Sequence, residues 1–378
     1  MSPRSRSASR VLIIDQSAVF RELLGRELDS SPAISVVGTV SNARRALTEL
    51  EHQDVDLILL DTDLVQSTGR PILPALLAIA PRTPIVILSG LSLLSADHTI
   101  RLLEEGASDF ASKPPAELSD FERVSQLAEE LRPKIRELTR HASIERGTVP
   151  ATPRQRPETT EAASPSPRAD PPRPARTRAA VPTTRFRALG IGSSTGGPKA
   201  LESIIMDLEP RVSVPIFVTQ HMPATFTRVF AERLNALGPR RCVEGEHGMP
   251  VERDTIYIAP GDRHLTVVGQ RSDATLQLDR RPPVRYCRPA VDYLFASLAE
   301  VYGSELLTLV LTGMGDDGCA GAGQVRERGG TVWAQDEESS VVWGMPGAVC
   351  QAGLADRILP LWDLGIALST QLSSGVEA

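Results

Sequence analysis

Three residue types able to do acyl-transfer chemistry each follow a separate apolar run in the second half of the chain. Ser194 lies in Gly190-Ile191-Gly192-Ser193-Ser194-Thr195-Gly196-Gly197-Pro198, after the run Ala188 to Ile191. His221 follows Pro215-Ile216-Phe217-Val218-Thr219-Gln220, and Asp317 lies in Thr312-Gly313-Met314-Gly315-Asp316-Asp317-Gly318 after Leu306 to Leu311. A serine hydroxyl is a weak nucleophile until a base takes its proton, and histidine, with a pKa near working pH, is suited to that task. A carboxylate fixes the imidazole tautomer and stabilises the imidazolium. The glycines around Ser194 permit a tight turn and close substrate approach, and helix amides beyond it can face a developing oxyanion.

Open parallel α/β sheets gather side chains at the carboxyl ends of their strands, so three parallel strands would bring these residues to one edge. Gly192-x-Ser194-x-Gly196 matches the nucleophile elbow of α/β-hydrolases, but the order Ser, His, Asp excludes that fold family, which runs Ser, acid, His. The glycine-rich turn could also cradle phosphate, although it has neither Walker A nor dinucleotide spacing. Among the other histidines, His264 opens a strand after Ala259-Pro260-Gly261, and His247 sits in a Gly-flanked turn. His52, His98 and His141 lie outside this half. Spacing alone does not choose between Asp316 and Asp317.

The elements that must position these residues read as alternating strands and helices. Helices are expected from Pro198 to about Leu208, from Thr225 to Leu237 and from Ala290 to Tyr302. Short strands without helices between them, at 255–259, 264–268 and 275–278, predict an antiparallel hairpin. Thr331 to Gln335 reads as a late strand. The expected fold is a doubly wound, mostly parallel α/β domain over 185–372 with a β-hairpin.

The first half alternates in the same way. Val11–Ile14, Ile34–Val37, Leu57–Leu60, Ile85–Leu88 and Asp109–Ala111 read as strands, with helices near 18–29, 42–52, 71–80, 97–105 and 118–140. This predicts an N-terminal doubly wound, five-stranded parallel domain, flavodoxin-like in style. Asp15 and Asp61 would then end the first and third strands, Ser89 the fourth, and Lys113 would follow the fifth. Such an acidic pocket suits a carboxylate that accepts phosphate beside an oxygen-liganded cation such as Mg²⁺. The constellation resembles a response-regulator receiver domain over residues 9–125. The resemblance implies Asp61 as phosphoacceptor, Ser89, Phe110 and Lys113 as switch residues, and Asp15 with Asp61 as metal ligands. It departs from that family at Gln16, where a second acidic residue is usual, and in the turn Leu64-Val65 to Thr68-Gly69. Gln16 weakens the metal site, and Asp63 could partly compensate.

Residues 148–184 hold nine prolines among Arg, Thr, Ser and Ala and show no apolar periodicity. With 117–140 read as a helical transition, 141–184 is expected to be a Pro-rich linker. A formal charge of −6 argues against a nucleic-acid-binding output domain. The basic N-terminus (Arg4, Arg6, Arg10) is not followed by a signal-peptide apolar stretch, and no run approaches transmembrane length. The cysteines Cys242, Cys287, Cys319 and Cys350 lack Cys-x-x-Cys spacing, which argues against zinc or a disulfide framework and for a reducing cytoplasm.

The motifs Gly192–Pro198, Gln220-His221-Met222-Pro223, Ala259-Pro260-Gly261 with His264, Arg288-Pro289-Ala290-Val291-Asp292 and Leu311–Gly318 resemble the chemotaxis receptor methylesterases, the protein-glutamate methylesterase family. That resemblance implies Ser194 as nucleophile, His221 as base, Asp317 rather than Asp316 as the orienting acid, and Thr195 with the Met314 backbone as active-site and oxyanion support. It implies a methylated chemoreceptor as substrate, with some members also deamidating receptor glutamine. It further implies a histidine kinase as partner, and an unphosphorylated receiver that covers the cleft until phosphorylation relieves it. Catalysis would need no cofactor, and Mg²⁺ would belong to the receiver alone. Rival readings are the same chemistry on another methylated signalling protein outside motility, and a binding module without catalysis.

Overall fold

The computed structural model describes residues 8–62, 64, 72–147 and 186–373, the last seven residues of the 72–147 segment by backbone alone. The first domain runs β1 (Ser9–Ile14), α1 (Ala18–Asp29), β2 (Ile34–Val40), α2 (Ala43–His52), β3 (Leu57–Asp61), α3 (Ile72–Ile79), β4 (Ile85–Ser89), α4 (Leu93–Glu104), β5 (Asp109–Ser112) and α5 (Asp120–Gly147). Its five strands are all parallel in the order β2-β1-β3-β4-β5. Helices cover both faces, so Val11–Ile14, Leu57–Leu60 and Ile85–Leu88 are buried throughout. That is why they read as continuous apolar runs rather than alternating ones. Ser17, Asn42 and Ser92 accept hydrogen bonds from Phe20, Arg45 and Ser95 amides and so start α1, α2 and α4.

Two boundaries differ from the sequence reading. The Ser92 cap starts α4 at Leu93, ahead of the expected 97. The expected linker start at 141 is also corrected, because α5 continues to Gly147 and passes through Pro133. No proline falls between Pro133 and Pro150, so nothing in 141–147 ends the helix. The rest of the linker, together with residues 63 and 65–71, lies outside the described residues.

The second domain runs β6 (Ala188–Ser193), α6 (Gly197–Asp207), β7 (Ile216–Gln220), α7 (Ala224–Leu237), β8 (Arg241–Glu244), β9 (Thr255–Ile258), β10 (His264–Val268), β11 (Thr275–Asp279), α8 (Val291–Tyr302), β12 (Leu306–Val310), α9 (Cys319–Glu327), β13 (Thr331–Gln335), α10 (Met345–Gln351), β14 (Arg357–Leu359) and α11 (Leu361–Ser373). Seven strands form one parallel sheet in the order β14-β13-β12-β6-β7-β9-β8. The antiparallel hairpin is β10 with β11, and β9 belongs to the parallel sheet. The edge strands β8 and β14 escaped the sequence reading. Arg241-Cys242-Val243-Glu244 and Arg357-Ile358-Leu359 are short and charged, as edge strands tend to be.

One face of this sheet packs Leu189, Ile191 and Val218 with Leu201, Ile204, Phe226, Phe230, Leu364 and Leu368 of α6, α7 and α11. The other face packs Phe217, Tyr257 and Val310 with α8 and the hairpin through Leu294, Phe295, Leu265 and Leu276. The first cluster continues into the receiver-like domain through Leu102, Leu103 and Phe110. The two domains therefore share apolar core.

Candidate active site and its cover

Chain direction turns at β6: the strands that follow pass to one side of it, and β12 returns on the other. Such a switch point opens a crevice at the strand ends. Ser194, His221 and Asp317 leave the three central strands β6, β7 and β12 there. Register pairs Ser193 with Gln220 and Val310 with Gly192. The Ser194 amide donates to Thr312 O at 3.0 Å and the His221 amide to Ser193 O at 3.1 Å. Gln220 is buried and ties the two turns together. Its Oε1 accepts from Ser193 Oγ at 2.6 Å, and its Nε2 donates to Ser194 O at 2.9 Å.

Glycine is required in the Ser194 turn. Gly196 has φ +78°, and a Cβ on Gly197 would lie 2.1 Å from Gln220 Oε1.

His221 Nε2 lies 2.7 Å from Asp317 Oδ2. Asp317 is 2 % exposed, and its carboxylate also accepts from the Val291 and Asp292 amides at 2.7 and 3.0 Å. Burial alone would raise its pKa, but the imidazole and these amides hold it below the usual carboxylate range. Asp316 instead points outward and pairs with Arg285 at 2.8 Å. Burial works against the imidazolium of His221, yet the hydrogen bonds and charges of Asp317 and Cys287 push its pKa up to about 10. Cys287 lies against the imidazole, and Ser194 Oγ makes no hydrogen bond to His221 among the described residues. Sequence reasoning passed over Cys287, Gln220 and Asp292, although the last two stand inside motifs it quoted. His264, a rival base, is buried away from this pair: its Nδ1 accepts from the Ala290 amide at 3.1 Å and its ring packs on Tyr293.

Thr195 Oγ1 donates to Asp109 Oδ2 of the first domain at 2.7 Å, in a buried contact. Lys134 Nζ donates to the same oxygen at 2.8 Å and to Phe110 O at 2.8 Å. Phe110 stacks on Phe226 with ring centroids 4.6 Å apart. Arg233 of α7 forms a two-pronged ion pair with Glu104 of α4. Beside it, burial and the Glu104 carboxylate push Glu202 up to about 8. Met314, Val341 and Val342 pack in the cluster that includes Leu131, Ile135 and Leu138 of α5. The first domain thus sits on the cleft through the start of β5, the end of α4 and the length of α5. Asp109, Glu104 and Arg233 carried no sequence signal, because each is an ordinary charged residue until the domains meet.

The first domain's own acidic pocket lies at the opposite end of its sheet from Asp109. Lys113 Nζ bridges Asp15 Oδ2 at 2.8 Å and Asp61 Oδ1 at 2.6 Å. Burial lowers the lysine pKa, but the two carboxylates outweigh it and the pKa is raised. Ser89 Oγ accepts from Thr99 Oγ1 at 2.6 Å, and its carbonyl accepts from the Lys113 amide. Gln16 is exposed at the rim. Two buried carboxylates converge here on one positive centre, the kind of oxygen pair a hard cation takes, and among the described residues no further acidic, His or Cys side chain joins them.

Fold and site together define a hydrolase built on an open parallel sheet, outside the α/β-hydrolase fold family, with a response-regulator receiver domain seated on its cleft. Residues 189–368 match the family described as CheB methylesterase, and residues 11–122 match the response regulator receiver domain. The protein-glutamate methylesterase/protein-glutamine glutaminase of Nocardioides sp. is 42 % identical over 366 residues, covering 96 % of this chain and 95 % of that one. A like-named protein of Paramagnetospirillum magneticum is 40 % identical over 358 residues, 93 % of each chain. The crystal structure of the Thermotoga maritima CheB methylesterase catalytic domain is 42 % identical, covers 49 % of this chain and 98 % of that one, and has a TM-score of 0.48. The chain belongs to the protein-glutamate methylesterase/protein-glutamine glutaminase family.

Proposed function

We propose that this protein hydrolyses γ-glutamyl methyl esters on a methylated chemoreceptor in the cytoplasm, and also deamidates receptor glutamine. The observation that carries the reading is the 2.7 Å His221–Asp317 bond beside the Ser194 turn on adjacent strand ends. In the covered form the ring is held protonated between Asp317 and Cys287; once the cleft opens, His221 would lose that proton, keep Nε2 on Asp317 and turn Nδ1 from Cys287 to Ser194 to take its proton. Ser194 Oγ attacks the ester carbonyl, and the Met314 amide with Thr195 steadies the oxyanion. The proton then passes from His221 to the departing methoxide, and methanol leaves. Water, deprotonated by His221, hydrolyses the acyl-enzyme to free glutamate. With glutamine as substrate, ammonia leaves in the first step.

The reading extends to control by the receiver. With Thr195 bonded to Asp109 and Met314 packed in one cluster with α5, the first domain would stand in the way of a substrate helix. Phosphoryl transfer from a histidine kinase to Asp61 would draw on Lys113 and Ser89, and Phe110 on Phe226 would carry the change to the interface. Asp15 and Asp61 are the residues that would hold Mg²⁺, which would supply charge neutralisation for the phosphoryl group. The deciding experiment is methanol release from methylated receptor, wild type against Ser194→Ala. A loss of about three to six orders of magnitude is expected. Near wild-type release by the variant would overturn the nucleophile.

A further inference from the structure

Asp317 is aimed by an arrangement in which two helices cap each other. Helix α8 starts at Val291 with Ala290 at its N-cap and no side-chain cap of its own. Its first amides are served from outside: Ala290 N by His264 Nδ1 at 3.1 Å, Val291 N by Asp317 Oδ2 at 2.7 Å, and Asp292 N by Asp317 Oδ1 at 3.0 Å. Helix α9 starts at Cys319, two residues after Asp317, with Gly318 at its N-cap and again no side-chain cap of its own. Its amides at Gly318 and Gly321 donate to Asp292 Oδ1 at 2.9 and 2.7 Å. Each helix thus receives its cap from the first turn or the leading loop of the other. An unserved N-terminal amide is expensive when buried, and a carboxylate there also gains from the helix dipole.

The two N-termini are pressed together with little slack. A Cβ on Gly321 would fall 2.8 Å from Phe295 Cβ and 3.0 Å from Asp292 Cα, and one on Gly318 would fall 2.9 Å from Val291 Cγ1. The loop that carries Asp317 is tied to α8 by the two bonds that its following residues make to Asp292, beside the two that Asp317 itself accepts from the Val291 and Asp292 amides. Asp317 Oδ2 serves both His221 and the Val291 amide. A shift of that loop would move the carboxylate off the imidazole.

We infer that Asp292 is a positioning residue for the hydrolysis, holding Asp317 in line with His221 without touching substrate. The inference rests on the reading of Asp317 as the orienting acid. Its two contacts are acceptor bonds, so Asp292→Asn keeps an oxygen for the Gly318 and Gly321 amides, whereas Asp292→Ala removes it.

The test compares both variants in the full-length protein. It measures kcat and KM for methanol release from methylated receptor, the titration of the His221 ring by NMR, and the thermal melt. Asp292→Ala is expected to lower kcat about ten- to a hundredfold, the scale on which small misplacements act, with KM within twofold. The His221 titration should move down, since less of the Asp317 charge reaches it. Asp292→Asn should recover most of kcat and most of the His221 shift. The inference fails if Asp292→Ala keeps kcat within threefold of wild type, if the His221 titration does not move, or if Asn loses as much as Ala. It also fails if neither variant folds, because Asp292 then serves the fold alone. Failure of the esterase reading itself would show separately, as wild-type release by Ser194→Ala, while the His221 titration would still report the aim of Asp317.

Discussion

Replacing Arg233 by Gln should loosen the receiver from the cleft and raise the basal rate. Arg233 and Glu104 meet in two charged hydrogen bonds across the interface, with side chains 30 % and 22 % exposed. A fully exposed ion pair contributes ~0–1 kcal/mol, and hydrogen bonds to charged groups about 1.5–3 kcal/mol. A half-buried fork falls between these, at ~1.5 kcal/mol. Without the guanidinium, Glu104 and Glu202 also face each other with less positive charge between them. At about 1.4 kcal/mol per decade, the ratio of covered to open protein should drop roughly tenfold. Where the covered form dominates, methanol release by the unphosphorylated chain should rise by the same factor. The ceiling is the rate of a fragment spanning 185–378, which should fold alone because its sheet and the helices and hairpin on its two faces are its own, the loss being interface contacts, those to Leu102, Leu103 and Phe110 among them. The same substitution in that fragment should change nothing. A full-length variant within twofold of wild type, or a fragment accelerated as much as the whole chain, would refute the role of the ion pair.

Asp317→Asn should lower kcat by orders of magnitude, as for other triad acids, whereas Asp316→Asn at the Arg285 surface pair should cost little; the opposite ranking would show that the wrong carboxylate was assigned. Glu202 has a pKa raised to about 8, above its unfolded value near 4.5. Its stabilisation of the covered form is therefore fully present below the unfolded pKa and lost as pH rises through the folded one. The basal rate, normalised to the 185–378 fragment, should climb between about pH 4.5 and 8 in wild type, level off above that, and stay flatter in Glu202→Gln. His264 has a pKa lowered chiefly by burial, so its contribution is present above the unfolded pKa and lost as pH falls through the folded one; His264→Gln should flatten that acid limb of stability, followed by thermal melts. Gln16→Asp should bind Mg²⁺ more tightly than wild type and label Asp61 faster from small phosphodonors, as read by calorimetry and a labelling time course. Equal affinities and rates would mean that the amide serves as well as a carboxylate.

Features that depend on a few residues close in the chain were legible without the fold. Apolar runs such as Leu57–Leu60 marked buried parallel strands. The glycines around Ser194 marked a turn that admits no side chain, and the strand-end positions of Ser194, His221 and Asp317 marked one sheet edge. Local pattern could not rank Asp316 against Asp317, since adjacent residues have the same neighbours in sequence. The fold separates them, burying one against His221 and two helix amides and leaving the other on Arg285. Short charged strands such as β8 and β14 were invisible for a related reason: a sheet edge needs little apolar surface, and its pairing comes from a neighbour distant in sequence. The Asp109–Thr195 bond, 86 residues apart in the chain, and the caps exchanged by Asp292 and Asp317 arise only when separate elements pack. A carboxylate has the same chemistry wherever it stands, and whether it is a surface charge, a helix cap or part of a site is set by the donors that tertiary packing brings within about 3 Å of its oxygens.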